Sequence, residues 1–313
     1  MSKVDGYSIG QITIIELIGA DRNKIVNNLC TQDLRQLQAG DSKETFVLDP
    51  KGRTLAHGIA CCSDKKTWFI TVPNQAEKLV PHFDRYIIRE DAIVRDASSQ
   101  WKAILLPAES PWLATPNASW TIGSNCQSHP DGIAFAIHAP WISKTSKLLL
   151  IEPEHFSSLT SSMHSLIESN CEDRIGWEQS RIENFWPWFA VDFDDKNLPQ
   201  ELDIDARAIS FKKGCYLGQE TVARLDALGQ VQKRLCLVDI TTQPNDLAAM
   251  PAPTVGQTLH IDEKPTGIIT SLVESPVEKH HWIALAMLKR SAFQTEASIT
   301  TDERLTTTIR RAL

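Results

Sequence analysis

The chain has 313 residues, 42% of them apolar and 23% charged, with 32 Lys and Arg against 39 Asp and Glu. This is the composition of a globular protein of about two domains, and it excludes a disordered or fibrous chain. A net charge of −7 argues against a dedicated nucleic-acid binder, whose footprint is basic. Seven cysteines at irregular spacing read as reduced thiols in the cytoplasm. The opening MSKVDGYSIG lacks the apolar core of a secretory signal, and no run approaches the roughly 18 apolar residues of a membrane span.

ITIIELIG (12–19) is rich in β-branched residues and predicts a strand. Asp21 is placed to cap the helix that follows, where Ile25, Val26 and Leu29 fall at helical spacing. Leu34 and Leu37 extend that pattern to Gly40. ETFVLD, TLAHGIACC and TWFITV predict three short strands, with Cys61 and Cys62 as small packing residues. Asn74 opens a second helix with Leu79, Phe83, Tyr86 and Ile87 inward, and Pro81 within it delays or kinks it. AIVRDA and KAILLP are further strands, and 109–130, rich in Pro, Ser, Asn and Trp, reads as loop. A second cycle begins at GIAFAIHA and KLLLIE. Pro153 then suits the first turn of a helix with Phe156, Leu159, Met163, Leu166 and Ile167 inward. IGWEQSRIENF predicts another helix. After Gly229 the texture changes to short strand runs, RLCLVDI, TLHI, TGIITSLV and HWIALAML. Residues 1–230 are therefore expected to form an α+β body of two similar lobes, and 231–313 a β-barrel.

Common enzyme signatures are absent. There is no Gly-rich dinucleotide fingerprint, no phosphate loop and no Gly-x-Ser-x-Gly elbow. DFDDKNLPQELD (192–203) fails as a calcium loop, because Lys196 and Asn197 occupy the places of a ligand and of the glycine. The nine histidines show no metal spacing, and Cys126 with His129 is a lone pair in a loop. Residues 207–234 hold six cations against two acids, a local charge of +4 suited to an anion.

FKKGCYLGQETVAR (211–224) is the most informative stretch. Gly214 and Gly218 permit tight or left-handed backbone on both sides of Cys215. From Gln219, the residues Val222, Leu225 and Leu228 form an apolar stripe, Glu220 and Arg224 stand four apart, and Gly229 ends the helix. Cys215 thus precedes a helix N-terminus with Lys212 and Lys213 beside it, a setting that favours thiolate. The alternative is a thiol that merely packs the turn.

KKGCYLGQE followed by VAR resembles the signature of the YgfZ family, folate-binding proteins related to the aminomethyltransferase (T-protein) of the glycine cleavage system. LIGADRNKIVNNLCTQDL (17–34), LDPKGRTLA (48–56), RIENFWPWFAVDF (181–193) and LPQELD (198–203) follow in family order, and VGQTL, TGIITS and IALAML fit its terminal barrel. The resemblance implies an aminomethyltransferase-like folate-binding body of two α+β lobes around a central channel, plus a C-terminal barrel. It implies tetrahydrofolate or a derivative as cofactor, and support of iron–sulfur cluster synthesis or repair. The client enzymes would include the tRNA methylthiotransferase, hence tRNA modification. Cys215 would be the functional thiol, and Lys213 would bias it toward thiolate or bind an anion. Tyr216, Gln219 and Glu220, with Lys212, Gly214, Gly218 and Arg224, would shape the loop. Trp177 falls where the family places a folate-contacting tryptophan, and Arg181, Asp192 and Gln200 fall beside that pocket.

The sequence also departs from the pattern. A second folate-contacting tryptophan of some relatives falls near Ile12, and Phe185 stands where Gly is frequent. Trp186 and Trp188 add bulk nearby. The aminomethyltransferases carry an Asp-Asp pair where this chain has Ala56-His57, so ordinary glycine-cleavage chemistry is not expected. Two other readings stay open: a tetrahydrofolate-dependent one-carbon transferase using Asp192 or Cys215, and a weak tRNA contact through the basic window.

Overall fold

The computed structural model describes residues 6–107, 110, 121–122, 126–128, 134–157, 175–242, 252–293, 299–300 and 305–310. The first lobe runs β1 (Tyr7–Gly10), β2 (Thr13–Ile18), α1 (Arg22–Leu29), β3 (Ser42–Leu48), β4 (Thr54–Cys62), β5 (Lys66–Thr71), α2 (Ala76–Asp84) and β6 (Ile93–Asp96). Five of these strands form an antiparallel sheet in the order β3-β4-β5-β2-β6. Its alternation sorts side chains to two faces. Ile14, Ile59 and Cys61 face a central cluster, while Ile15, Leu17, Ala60 and Cys62 pack with residues of α1 and α2.

The second sheet takes β1 from the first lobe and adds β7 (Lys102–Leu106), β8 (Thr121–Ile122), β9 (Cys126–Ser128), β10 (Ala134–His138) and β11 (Lys147–Ile151). Its order is β1-β7-β11-β10-β9-β8. Ala103, Leu105, Leu148 and Leu150 join the central cluster, and Ile104, Leu106, Leu149 and Ile151 form a smaller one on the outer face. Among the described residues three α-helices follow, α3 (Ile175–Glu183), α4 (Asp205–Ala208) and α5 (Gln219–Leu228). The remaining elements are β12 (Lys233–Thr242), β13 (Thr258–Ile261), β14 (Lys264–Glu274), β15 (His281–Lys289), α6 (Arg290–Phe293), β16 (Ile299–Thr300) and β17 (Leu305–Arg310). Their strands close a barrel in the order β12-β15-β14-β13-β16-β17. Leu235, Leu237, Ile283 and Leu285 of the barrel belong to the same central cluster as the two sheets, so one core binds all three.

Several local expectations are corrected. The first helix ends at Leu29 instead of running to Gly40. Asn27 Oδ1 accepts from the Leu34 amide at 3.0 Å, and the Thr31 amide donates to Phe46 O at 3.0 Å. The chain leaves the helix for these bonds, while Leu34 and Leu37 remain buried as the pattern required. Asp21 stands at the N-cap, but its carboxylate accepts from the Asp91 amide at 2.9 Å and caps no helix amide. Asn74 has a left-handed φ of 62°, which displaces the start of α2 to Ala76. Tyr86 and Ile87 lie past the end of that helix, partly buried against its cluster. The stripe at 159–167 lies outside the described residues.

Candidate functional site

The two motifs that are far apart in sequence form one structure. In DPKGR, Asp49 Oδ1 accepts from the amides of Lys51 and Arg53, each at 2.8 Å, and Gly52 takes a left-handed φ of 78°. Gly218 at the end of the cysteine loop is also left-handed, at 77°. The two glycines meet backbone to backbone: a Cβ on Gly218 would lie 2.6 Å from Asp49 O and 2.8 Å from Gly52 Cα. Thr221 Oγ1 completes the joint by donating to Lys51 O at 2.9 Å. Gly214, by contrast, is not left-handed, and a Cβ there would meet nothing within 4 Å. Gly218→Ala is therefore expected to destabilise the fold by about 1–3 kcal/mol, from backbone strain plus the clash. Gly214→Ala should be near neutral; thermal unfolding of the two variants checks the contrast.

The other side of the loop is held by Lys213. Its ammonium donates to Asn27 O and Cys30 O at 2.7 Å each and to Gln32 O at 2.8 Å. These are carbonyls at and just beyond the C-terminal end of α1, where a cation is favoured. Burial pulls the Lys213 ammonium down to about 8, and the Tyr216 ring lies 4.8 Å below it. The Leu217 amide adds a bond to Asn28 O at 2.8 Å. Lys213 is thus a latch that fixes the loop to α1. Its three donors are all directed at carbonyls.

Between these two anchors Gly214 and Cys215 are exposed; just before them Lys212 is exposed and Phe211 shows 46% of its surface. Cys30, Cys61, Cys62 and Cys236 are all buried, so among the described free cysteines only Cys215 is open to solvent. Gln219 begins α5, and its side chain accepts from the Tyr216 amide at 3.3 Å. Glu220 and Arg224 are exposed, and no ion pair joins them. The basic window also divides. Arg207 pairs with Glu44, Lys233 with Glu201 and Arg234 with Asp203, while Lys213 is buried on carbonyls. Lys212 and Arg224 remain as its exposed cations, so the window is not a continuous anion-binding face.

The residues expected around folate lie in the central cluster. Trp177 on α3 is fully buried, 5.1 Å from Trp188, which meets Trp141 edge-on at 5.3 Å; Trp141 in turn stacks on Trp186. The Trp177 indole N–H has no hydrogen-bond partner among the described residues. Gln200 donates to Val222 O at 2.7 Å, and its buried Oε1 has no partner among the described residues. Ile12 is buried, and it lines a cleft of about 440 Å³ with Thr13, Asn74, Glu77 and Asp96, to which Trp177 does not contribute.

Arg181 and Asp192 are committed elsewhere. The Arg181 guanidinium reaches Asp192 Oδ2, Trp186 O and Ser271 Oγ at 2.7 Å each, and Glu178 Oε2 at 2.9 Å. Asp192 also accepts from the Trp188 amide, Thr270 and Ser271. This buried network joins α3 and the 186–192 segment to β14 of the barrel. Its role is to place Trp177 and Trp188, not to offer free polar groups.

One constellation was missed by sequence reading. His57 Nε2 lies 2.8 Å from Glu44 Oε1 and its Nδ1 3.4 Å from Pro187 O. Arg207 reaches both Glu44 and Phe185 O, and its guanidinium sits 5.6 Å from the Trp186 ring, which packs 4.5 Å from His57. Phe185 holds a left-handed φ of 53°, the conformation that a glycine would adopt without strain. The available signal was phase: Glu44 alternates with Phe46 and Leu48, and His57 with Ile59 and Cys61, on the strand face turned to the core.

No protein-family model matches the chain. The glycine cleavage system aminomethyltransferase T from Bartonella henselae matches in structure with a TM-score of 0.78 over 100% of this chain and 86% of that one, at 11% identity. The chain therefore has the aminomethyltransferase fold. In sequence, an uncharacterised protein of Haemophilus influenzae is 26% identical over 85% of this chain and 83% of its own length. The tRNA-modifying protein YgfZ of Blochmanniella pennsylvanica is 24% identical over 73% of this chain and 69% of its own. The mitochondrial iron–sulfur cluster assembly factor IBA57 homologue of Cryptococcus neoformans is 27% identical over 71% of this chain and 63% of its own. Within the aminomethyltransferase fold, the chain is similar in sequence to YgfZ and IBA57 proteins.

Proposed function

We propose that this chain is a folate-binding accessory protein that supports iron–sulfur cluster synthesis or repair and, through a cluster-dependent methylthiotransferase, the modification of tRNA. The observation that carries the reading is the exposed Cys215 on a loop anchored at both ends, by Lys213 on three carbonyls and by Gly218 on the DPKGR turn. A thiol presented on an ordered loop meets a large partner without a further ordering cost. The names of the YgfZ and IBA57 relatives point to the same class of work.

Tetrahydrofolate, or a derivative, is the cofactor that the fold family implies, and the residues present fit it. The orphaned N–H of Trp177 and Oε1 of Gln200 offer a buried donor and a buried acceptor to the polar edge of a pterin. Trp177 and Trp188 supply aromatic surface. The bound folate would supply a one-carbon carrier. A transferase would further need a free carboxylate, or the Cys215 thiol, beside it. Both oxygens of Asp192 accept hydrogen bonds, Glu44 is held by His57 and Arg207, and Ala56 offers no polar atom. This favours the accessory reading. It is tested in a bacterial strain lacking its own protein of this class: the chain should restore methylthio groups on tRNA, and failure to restore them when the protein is expressed and folded removes the reading.

A further inference from the structure

The outer edge of the second sheet contains a cavity of about 490 Å³, within the range of small-molecule sites. Its origin is local. The β1–β7 register shifts between Ser8 and Gly10, where Gly10 takes a φ of 68°. A bulge of this kind bends a strand away from its partner, and the small residues Ser8, Gly10 and Ala103 leave the opened space unfilled.

The walls are not bland. Trp101 is 7% exposed, fixed edge-on against Phe135 at 5.3 Å and Trp68 at 6.5 Å. Its indole N–H is buried and has no acceptor among the described residues. The Lys102 ammonium lies 4.7 Å over the Phe156 ring, with no carboxylate within ion-pair distance among the described residues. The cavity thus lines up a rigid aromatic wall, a second ring, an unused donor and an unneutralised cation. Trp177, Gln200 and Cys215 take no part in its lining.

We propose that this cavity is a second binding site, for a small planar aromatic carboxylate. The ring packs against Trp101 and Phe156, and the carboxylate takes the Lys102 ammonium and the Trp101 N–H. Charge-assisted bonds of this kind are the stronger ones, so the anion should dominate recognition.

The probe is 2-naphthoate, titrated into the whole chain by calorimetry, with neutral 2-naphthylmethanol beside it. Wild type should bind one equivalent of 2-naphthoate. Lys102→Met should weaken it about tenfold or more without changing the affinity for the alcohol. Trp101→Phe, which keeps a ring and removes the donor, should weaken 2-naphthoate severalfold. Trp177→Leu should leave the binding intact. Absence of saturable binding at millimolar probe overturns the proposal. So does equal affinity in Lys102→Met, or loss in Trp177→Leu with retention in Trp101→Phe, which would put the probe at Trp177.

Discussion

Arg181→Met is expected to cost about 3–5 kcal/mol, the range for removing one partner of a buried ion pair. The guanidinium is fully buried, and four partners converge on it from α3, the 186–192 segment and the barrel. Methionine fills the space, but it leaves the carboxylate of Asp192 in the core with only neutral donors. For a chain of this size the loss should lower the melting temperature by about 10 °C. Thermal unfolding followed by circular dichroism measures it. A second change, Asp192→Asn, should return part of the stability by removing the orphaned charge. A melting temperature within about 2 °C of wild type for the single variant would mean that the network does not join body to barrel.

Cys215→Ala is expected to have the opposite profile. An exposed side chain away from caps and packing contributes within about 0.5 kcal/mol, and Cys215 is exposed on a loop held by its neighbours. The variant should fold and melt as wild type does. In the strain that reports tRNA methylthiolation, it should nevertheless restore few or no methylthio groups, because no other described free cysteine is exposed to replace it. Full restoration would return Cys215 to a passive place in the turn. A fall in both melting temperature and activity would assign it a packing role that its exposure does not suggest.

Much of the architecture was legible from periodicity. The strand runs from ETFVLD to TWFITV, the helix from Gln219 to Gly229 and the barrel runs after it stand where alternation and helical spacing put them. What was not legible depends on contacts between distant segments. Nothing local in DPKGR shows that Gly52 meets Gly218, although each glycine by itself marks a left-handed turn. Lys213 could be read as a cation beside a thiol, because the three carbonyls that hold it lie at 27, 30 and 32. The end of the first helix is set in the same way, since Asn27 O is satisfied by Lys213 and Asn28 O by the Leu217 amide. Arg181 and Asp192 are placed beside folate by resemblance; the bonds that tie them to each other and to Ser271 of the barrel depend on distant segments.

The most direct test of the account is a titration of purified chain with tetrahydrofolate followed by tryptophan fluorescence, with Trp177→Leu as control. The control's circular dichroism must match wild type, and Trp101→Phe serves as a second control that leaves Trp177, Trp188, Trp141 and Trp186 in place. The account predicts saturable quenching in wild type and Trp101→Phe, and its loss in Trp177→Leu. No saturable change in wild type, or the same quenching in Trp177→Leu, would contradict a folate site at Trp177 and leave the anchored Cys215 loop to act without it.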